Sequence, residues 1–260
     1  MENIVRKDID LVLTIESNTG IADSVYEMRL KGDTSLITAP GQFINIKVPG
    51  FYLRRPISIS DHDENGLTII YKVVGNGTDA MCRMLPGEKL NCLVGLGNGF
   101  DVEKCGEHVL LVGGGVGTPP MYGLAKELLG RGKKVSVVLG FNSKCDVFYN
   151  ERFEELGRSF YGLLTNVKIA TVDGSMGIKG FVTDCLDDLA DITDYCACGP
   201  IPMLKALYTY YEGKANGQLS FEERMGCGFG ACVGCSIKTK SGFKKVCKDG
   251  PIFLSGDVIF

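Results

Sequence analysis

The chain has 260 residues, of which 45% are hydrophobic and 23% charged, and it carries a net charge of −3. This length allows two domains and a small appendage, while the slightly acidic balance gives no basic field for nucleic acid. No apolar stretch is long enough to cross a bilayer and the N-terminus has no apolar signal core, so we expect a cytoplasmic protein whose cysteines stay free or bind metal.

Residues 1–103 alternate short apolar runs with turns, a pattern typical of an antiparallel β-barrel. Strands are predicted at residues 9–15, 24–30, 43–48, 57–59 and 67–74. One helix is predicted over residues 78–84, with Thr78 as its cap and Pro86-Gly87 as its end. We therefore expect an N-terminal barrel domain over residues 1–103.

Two motifs in this predicted barrel suit a flavin nucleotide. In Arg55-Pro56-Ile57-Ser58 the guanidinium group matches a pyrophosphate, and the Ser58 hydroxyl can bond a flavin N5. The alternative is an ordinary edge strand, in which a basic pair beside proline is common. In Gly75-Asn76-Gly77-Thr78 a glycine loop opens the helix and offers free N–H groups to phosphate oxygens. Together the two motifs favour a bound flavin.

The pattern changes at residue 109, where strands begin to alternate with helices. Strands are predicted at 109–112, 134–139, 166–171 and 194–198, and helices at 121–129, 151–156, 182–189 and 202–211. This alternation predicts a doubly wound parallel sheet, which we place in a second domain over residues 104–216.

Two loops at the carboxyl ends of these strands are candidate nucleotide sites. Gly113-Gly-Gly-Val-Gly117 follows a strand and precedes a helix, as a dinucleotide loop must, although prolines replace the third glycine of the usual motif. The alternative is a tight turn without a ligand. Cys198-Gly199-Pro200 ends a later strand, and its thiol either lines a nicotinamide pocket or is a buried core residue.

The two histidines, His62 and His108, lie in polar stretches and have no apparent nucleophile beside them. We expect both to be surface residues. The sequence therefore predicts no acid–base machinery, which hydride and electron transfer between cofactors do not need.

Four cysteines near the C-terminus have the C-x4-C-x2-C…C spacing of a plant-type 2Fe-2S cluster: Cys227, Cys232, Cys235 and Cys247. Interleaved glycines allow the backbone to wrap closely, and a hairpin turning at Ser241-Gly242 is predicted to deliver Cys247. The alternative is a four-cysteine zinc site, but zinc ribbons usually pair two C-x-x-C knuckles. We expect a small 2Fe-2S domain over residues 217–260.

Taken in order, these motifs resemble the ferredoxin–NADP reductase superfamily and, within it, the electron transfer subunits of type B dihydroorotate dehydrogenases. The motifs are those at residues 55–58, 77–78, 96–100, 113–120, 173–177 and 198–200, together with the terminal cysteines. The resemblance spans essentially the whole chain. It implies FAD in the first domain, NAD in the second and a 2Fe-2S cluster in the third.

The resemblance also implies site residues. FAD would be bound by Arg55, Pro56, Ile57, Ser58, Ile70, Tyr71, Lys72, Gly77 and Thr78. NAD would be bound by Gly113, Gly114, Gly115, Val116, Gly117, Cys198, Gly199 and Pro200. Ser58 and Cys198 would act in catalysis, and the four terminal cysteines would hold the metal. Many superfamily members have tyrosine where this chain has Ile57, so the packing partner of the flavin ring is not fixed by the motif.

The implied activity is electron transfer between NAD and a partner subunit that carries FMN and oxidises dihydroorotate for pyrimidine synthesis, in a heterotetramer of two copies of each. One alternative is a diaphorase subunit of a bifurcating transhydrogenase or sulfhydrogenase. An alternative of another class is a zinc-stapled, nucleotide-binding regulatory module. NAD is preferred to NADP because residues 140–144 offer one lysine and no arginine to a 2′-phosphate.

Overall fold

The computed structural model describes residues 9–260. Six antiparallel strands close an N-terminal barrel in the order β1-β2-β5-β4-β3-β6. Their bounds are β1 (Asp10–Ala22), β2 (Val25–Lys31), β3 (Phe43–Lys47), β4 (Arg55–Asp63), β5 (Gly66–Lys72) and β6 (Lys89–Leu96). A short helix, α1 (Asn76–Cys82), follows β5 and buries Met81 in the barrel core. The predicted barrel is confirmed.

A seven-stranded sheet forms the centre of the molecule, in the order β10-β9-β8-β7-β11-β12-β15. Its strands are β7 (His108–Gly114), β8 (Lys134–Phe141), β9 (Leu164–Thr171), β10 (Ile178–Lys179), β11 (Asp194–Cys198), β12 (Asn216–Ser220) and β15 (Ile252–Leu254). All neighbours are parallel except β15, which runs antiparallel to β12.

Helices cover both faces of this sheet, because its inner strands are apolar on both sides. In β7, Val109 and Leu111 belong to one buried core, and Leu110 and Val112 belong to the other. Helices α2 (Thr118–Gly130) and α3 (Asn150–Ser159) contribute to the first core, and α4 (Ile201–Tyr211) contributes to the second. The doubly wound arrangement is confirmed.

Between β12 and β15 the chain leaves the sheet. Residues 221–235 form no helix or strand, and a hairpin follows, made of β13 (Ser236–Thr239) and β14 (Gly242–Lys245). A single helical turn, α5 (Val246–Asp249), leads back to β15. The boundary predicted at residues 216–217 falls inside β12, and the predicted third domain also contains β15, so it includes two strands of the central sheet.

Three local predictions are wrong. The helix predicted over residues 182–189 is only a short 3-10 helix, Val182–Cys185, because β-branched and Asp residues are poor helix formers. Thr78 does not cap α1, since it is the third helical residue and its hydroxyl accepts hydrogen bonds from the backbone N–H groups of Val74 and Gly75. The hairpin turns at Lys240-Ser241, because Thr239 pairs directly with Gly242.

Strands β6, β10, β12 and β15 and helix α5 were not predicted. Among the residues from 9 onward, no helix has the length and apolar character needed to span a membrane.

Candidate functional site

The two barrel motifs predicted to bind a flavin are in direct contact. A Cβ added to Gly77 would lie 2.1 Å from Arg55 Nε, so only glycine allows the guanidinium group to lie against the start of α1. The same guanidinium lies 5.0 Å from the centre of the Phe51 ring, and its Nη1 donates to the Leu53 carbonyl. A fixed cation therefore adjoins backbone N–H groups, which is an arrangement suited to a pyrophosphate.

The outer face of the β3–β4 pair carries Ser58. Strand β4 pairs with β3 so that Ser58 lies opposite Phe43 and Pro56 lies opposite Asn45. Directly paired residues point to the same side of a sheet, and Phe43 and Asn45 alternate with residues of the barrel core. Arg55 points to the other side, so only an extended ligand can reach both Arg55 and Ser58.

Two other predicted flavin residues have side chains in or against the barrel core. Ile57 packs partly buried against that core, and the Tyr71 ring lies within it. The Tyr71 hydroxyl donates to Asn18 Oδ1 at 2.9 Å, and burial raises the pKa of Tyr71. The Tyr71 side chain is therefore turned away from any ligand outside the barrel, and only its backbone could meet one.

A cavity of about 590 Å³ lies between the barrel and the central sheet. Lys72 of β5 and Asp146, which follows β8, line it and form an ion pair across the two domains at 3.1 Å. Ile70, next to Lys72, is buried in the core that the two domains share. Of the predicted nucleotide residues, those that line the cavity are Gly114, Gly115, Val116 and Pro200.

Sequence reasoning missed three aromatic residues of this cavity: Phe141, Phe148 and Phe181. Phe141 ends β8 at the same sheet edge as the glycine loop, so its place at a strand's carboxyl end was a usable signal. Phe148 and Phe181 lie in connecting segments and carry no such signal.

The two predicted nucleotide loops touch each other at the carboxyl edge of the sheet. Gly113 of β7 pairs with Cys198 of β11. A Cβ on Gly117 would lie 2.0 Å from the Cys198 carbonyl oxygen, and one on Gly114 would lie 2.7 Å from Met203 Sδ. The loop needs glycine for this approach. It leads into α2, whose second and third residues, Pro119 and Pro120, have no N–H, so the N–H groups that could meet an anion here are those of the loop and of Thr118.

The Cys198 thiol is 1% exposed and is not among the residues that line the cavity. Burial raises its pKa to about 12. The position matches the alternative of a buried core cysteine, and the role of this thiol beside a nicotinamide stays a prediction.

The four terminal cysteines lie in two pairs. The backbone N–H of Cys232 points at Cys227 Sγ at 3.4 Å, and Cys235 Sγ lies 3.3 Å from Cys247 Sγ. Within residues 9–260, no three His, Cys, Asp or Glu side chains converge on one point that could hold a single ion. A 2Fe-2S cluster takes four cysteine thiolates, two on each iron, and two neighbouring pairs of thiols can supply them. The residues present therefore fit the cluster.

Backbone N–H groups prepare one of these thiols for metal. Burial alone would raise the pKa of Cys227, but N–H groups of Cys232, Phe229 and Gly230 stabilise its thiolate and lower the pKa to about 6. Burial and the neighbouring Cys235 thiol raise the pKa of Cys247 to about 12. The glycine-rich loop thus directs N–H groups at sulfur, as its composition suggests.

The cysteine segment packs on the barrel. Asn45 Nδ2 donates to the Cys227 carbonyl at 3.1 Å, and Phe43 belongs to the same buried core as Cys235 and Cys247. Phe43 and Asn45 are the residues that share the outer face of β3–β4 with Ser58. One face of the barrel wall therefore carries the predicted flavin hydroxyl and supports both cysteine pairs.

Comparison with known proteins agrees with this arrangement. Residues 222–259 match the family model for the iron-sulfur cluster binding domain of dihydroorotate dehydrogenase B, and residues 111–208 match the oxidoreductase NAD-binding domain. A dihydroorotate dehydrogenase B (NAD(+)) electron transfer subunit from Fusobacterium nucleatum is 43% identical, covering 94% of this chain and 96% of the relative. One from Bacillus pumilus is 47% identical, covering 95% and 96%. The chain belongs to this family of electron transfer subunits.

The structure of this member of the electron transfer subunit family is also similar to solved structures of other reductases. An NADH-dependent reduced ferredoxin-NADP oxidoreductase, studied for flavin-based electron bifurcation, superposes with a TM-score of 0.83 at 28% identity, covering 96% of this chain and 90% of that chain. Phthalate dioxygenase reductase gives a TM-score of 0.62 at 21% identity, covering 77% and 63%, which shows a shared fold.

Proposed function

We propose that this chain is the electron transfer subunit of an NAD-dependent dihydroorotate dehydrogenase. It passes electrons between NAD and a partner subunit that carries FMN and oxidises dihydroorotate, in the cytoplasmic synthesis of pyrimidines. The observation that carries this proposal is the contact between the paired cysteines and the barrel face that bears Ser58. This contact supports an arrangement in which the iron–sulfur site lies beside the flavin site within one chain.

Each group of residues has one task in this proposal. Arg55, with Gly77 and Thr78, holds the FAD pyrophosphate, and Ser58 faces the flavin ring. The loop Gly113–Gly117 and the segment 198–200 hold NAD at the carboxyl edge of the sheet. The four cysteines hold the two irons. When bound, these cofactors would allow the chain to accept electrons in pairs and to release them one at a time.

The cavity favours NAD over NADP. Lys72 is the one cation among the residues that line it, and Asp146 already pairs with that ammonium group at 3.1 Å. An extra 2′-phosphate in this cavity would find no unpaired cation among the lining residues. We expect kcat/KM for NADH to exceed that for NADPH, and a preference for NADPH in steady-state assays would contradict the proposal.

The decisive experiment uses the whole chain, purified anaerobically. We expect one FAD, two irons and acid-labile sulfide per chain, and loss of the flavin absorbance when NADH is added. Addition of the FMN subunit and dihydroorotate should then reduce NAD, and the mass of the assembly should correspond to two copies of each subunit. A colourless protein that contains zinc, or a flavin that NADH does not reduce, would refute the proposal.

A second candidate is a subunit of a bifurcating oxidoreductase, which the TM-score of 0.83 to such a structure favours. The identity to that protein is 28%, against 43% and 47% to the two electron transfer subunits compared above. Affinity purification from the native host separates the two. An FMN-containing partner supports the first function, and a hydrogenase-like or glutamate-synthase-like partner supports the second.

A further inference from the structure

Asn45 is a polar side chain enclosed between the barrel and the cysteine loop. It is 1% exposed, and its Nδ2 donates to the Cys227 carbonyl at 3.1 Å. Gly228, the next residue of the loop, has a φ of +79° and packs so closely that an added Cβ would lie 2.2 Å from Asn45 Nδ2. The cysteine loop and the Asn45 amide group are therefore in close contact.

The oxygen of the Asn45 amide group has no hydrogen-bond partner. Asn45 Oδ1 is one of two buried side-chain polar atoms that lack a hydrogen bond in the part of the chain that is described. A buried acceptor without a donor is destabilising, whereas the Nδ2 donor of the same amide satisfies the Cys227 carbonyl. The contact with the cysteine loop is therefore the one polar interaction that accounts for an amide at this position.

The position of Asn45 connects the two redox sites. It lies opposite Pro56 in the strand pair, on the same face as Ser58. Directly opposite side chains in a sheet have Cβ atoms about 5 Å apart. Asn45 thus touches the loop of the first cysteine pair from within the strand pair that carries the predicted flavin motif.

We propose that Asn45 is a positioning residue that holds the Cys227 end of the loop against the flavin-binding strand. In this way it sets the rate of electron exchange between flavin and cluster. This inference rests on the proposed function. Asn45 makes and breaks no bond, and one electron moves in each exchange. Its hydrogen bond fixes the backbone around Cys227, whose sulfur faces the Cys232 N–H at 3.4 Å. Hydrogen bonding around the sulfurs and the exposure of a cluster set its reduction potential.

Two substitutions and a matched control test this role in the holoprotein. Asn45→Leu keeps the shape and removes both polar atoms, and Asn45→Asp keeps the shape but removes the donor. Gln218→Leu is the control, because Gln218 is also a buried amide whose Nε2 donates to a backbone carbonyl, that of Asp101, at 2.9 Å, and Asp101 is not part of the cysteine segment. Each protein is mixed rapidly with NADH, and flavin and cluster absorbance are followed separately. The EPR spectrum and midpoint potential of the reduced cluster are then recorded.

We expect both Asn45 variants to reduce flavin at the wild-type rate but to reduce the cluster about 10-fold more slowly, with a changed EPR spectrum or potential, as for other residues that orient metal ligands. Gln218→Leu should match the wild type in all three measurements. Iron loss in the Asn45 variants but not in Gln218→Leu would also support the role.

Wild-type cluster kinetics, spectrum and potential in both Asn45 variants would overturn the inference, as would equal changes in Gln218→Leu. If the wild-type protein itself shows no cluster that NADH can reduce, the proposed function fails rather than the role of Asn45.

Discussion

Gly77 is a position at which one methyl group should decide whether flavin binds. Gly77→Ala would place a Cβ 2.1 Å from Arg55 Nε, and the guanidinium group would have to move away from α1. Because the clash is with the far end of a flexible side chain, we expect it to displace the guanidinium group and to leave the fold intact. We expect the purified variant to contain much less FAD per chain than the wild type, measured by the flavin absorbance released on denaturation.

Gly75→Ala is the matched control for that substitution. Gly75 has an extended backbone with a φ of −176°, and no atom would lie within 4 Å of its added Cβ. This variant should keep the wild-type flavin content. Equal flavin loss in both variants would show that the helix start, and not the Arg55 contact, determines binding.

The sequence identified Arg55 and Gly77 separately, from the donor chemistry of one and the loop composition of the other. It could not place them in contact, because that contact depends on how α1 packs on the barrel. Thr78 shows the same limit, since its type suggests a cap while the fold makes it the third residue of the helix. No sequence pattern indicates that Asn45 Oδ1 is buried without a hydrogen-bond donor.

His108 begins β7 and was predicted only to be a surface residue. Its Nε2 lies 3.0 Å from Ser136 Oγ of β8, and the ring is partly buried. Burial, with the nearby charge of Lys134, lowers the pKa of His108. The unfolded chain therefore binds this proton more readily, and stability falls as the pH drops below about 6.5.

We expect the melting temperature of the wild type to fall more between pH 7.5 and pH 5.5 than that of His108→Gln, because glutamine cannot take up the proton. Thermal melts at several pH values measure the difference. His62→Gln, at an exposed position at the end of β4, is the control and should show the wild-type pH dependence. Parallel curves for all three proteins would contradict the assignment.

Secondary-structure prediction in the central sheet succeeded where apolar residues follow or alternate with one another along the strand, as in β7, β8, β9 and β11. The edge strands β10 and β15 were missed because they have only two and three residues. Strand β12 (Asn216–Ser220), which lies between β11 and β15, was missed because it contains Asn, Gly and Gln. The helix predicted over residues 182–189 is wrong because Asp187 and Asp188 have low helix propensity and do not extend the short 3-10 helix.

The two large domains are joined by a few polar contacts as well as by the shared core. Tyr149, at the start of α3, donates its hydroxyl to the Glu27 carboxylate of β2, and Arg152 Nη2 contacts the same carboxylate at 2.9 Å. A hydrogen bond to a charged group contributes about 1.5–3 kcal/mol. Tyr149→Phe should lower the melting temperature by a few degrees.

Tyr208→Phe is the control for that substitution, because the Tyr208 hydroxyl contacts Glu212 at 3.3 Å within one exposed segment. Differential scanning calorimetry compares the two variants with the wild type. An unchanged melting temperature in Tyr149→Phe would indicate that Arg152 alone suffices to hold Glu27 at the domain boundary.

Iron should determine the order of the whole cysteine segment. Residues 221–235 have no helix or strand of their own, so metal ligation should add substantially to the few contacts, such as that of Asn45 with Cys227, that hold them. Removal of iron with a chelator should make the chain sensitive to trypsin near Arg224 while the barrel and the central sheet resist. Mass spectrometry of timed digests identifies the cleavage site, and iron-loaded protein is the control. Cleavage that begins in the barrel would contradict this expectation.

The pairing of β15 with β12 determines how the cysteine segment is connected to the central sheet. Ser220 and Ile252 are paired across adjacent antiparallel strands, and the Phe221 N–H donates to the Pro251 carbonyl at 2.9 Å. The whole excursion from residue 222 to residue 250 therefore occupies the place of a hairpin loop. Its replacement by a two-residue turn would keep the pairing of β12 with β15 and would remove the one-electron exit, together with the core residues Cys235, Val246 and Cys247.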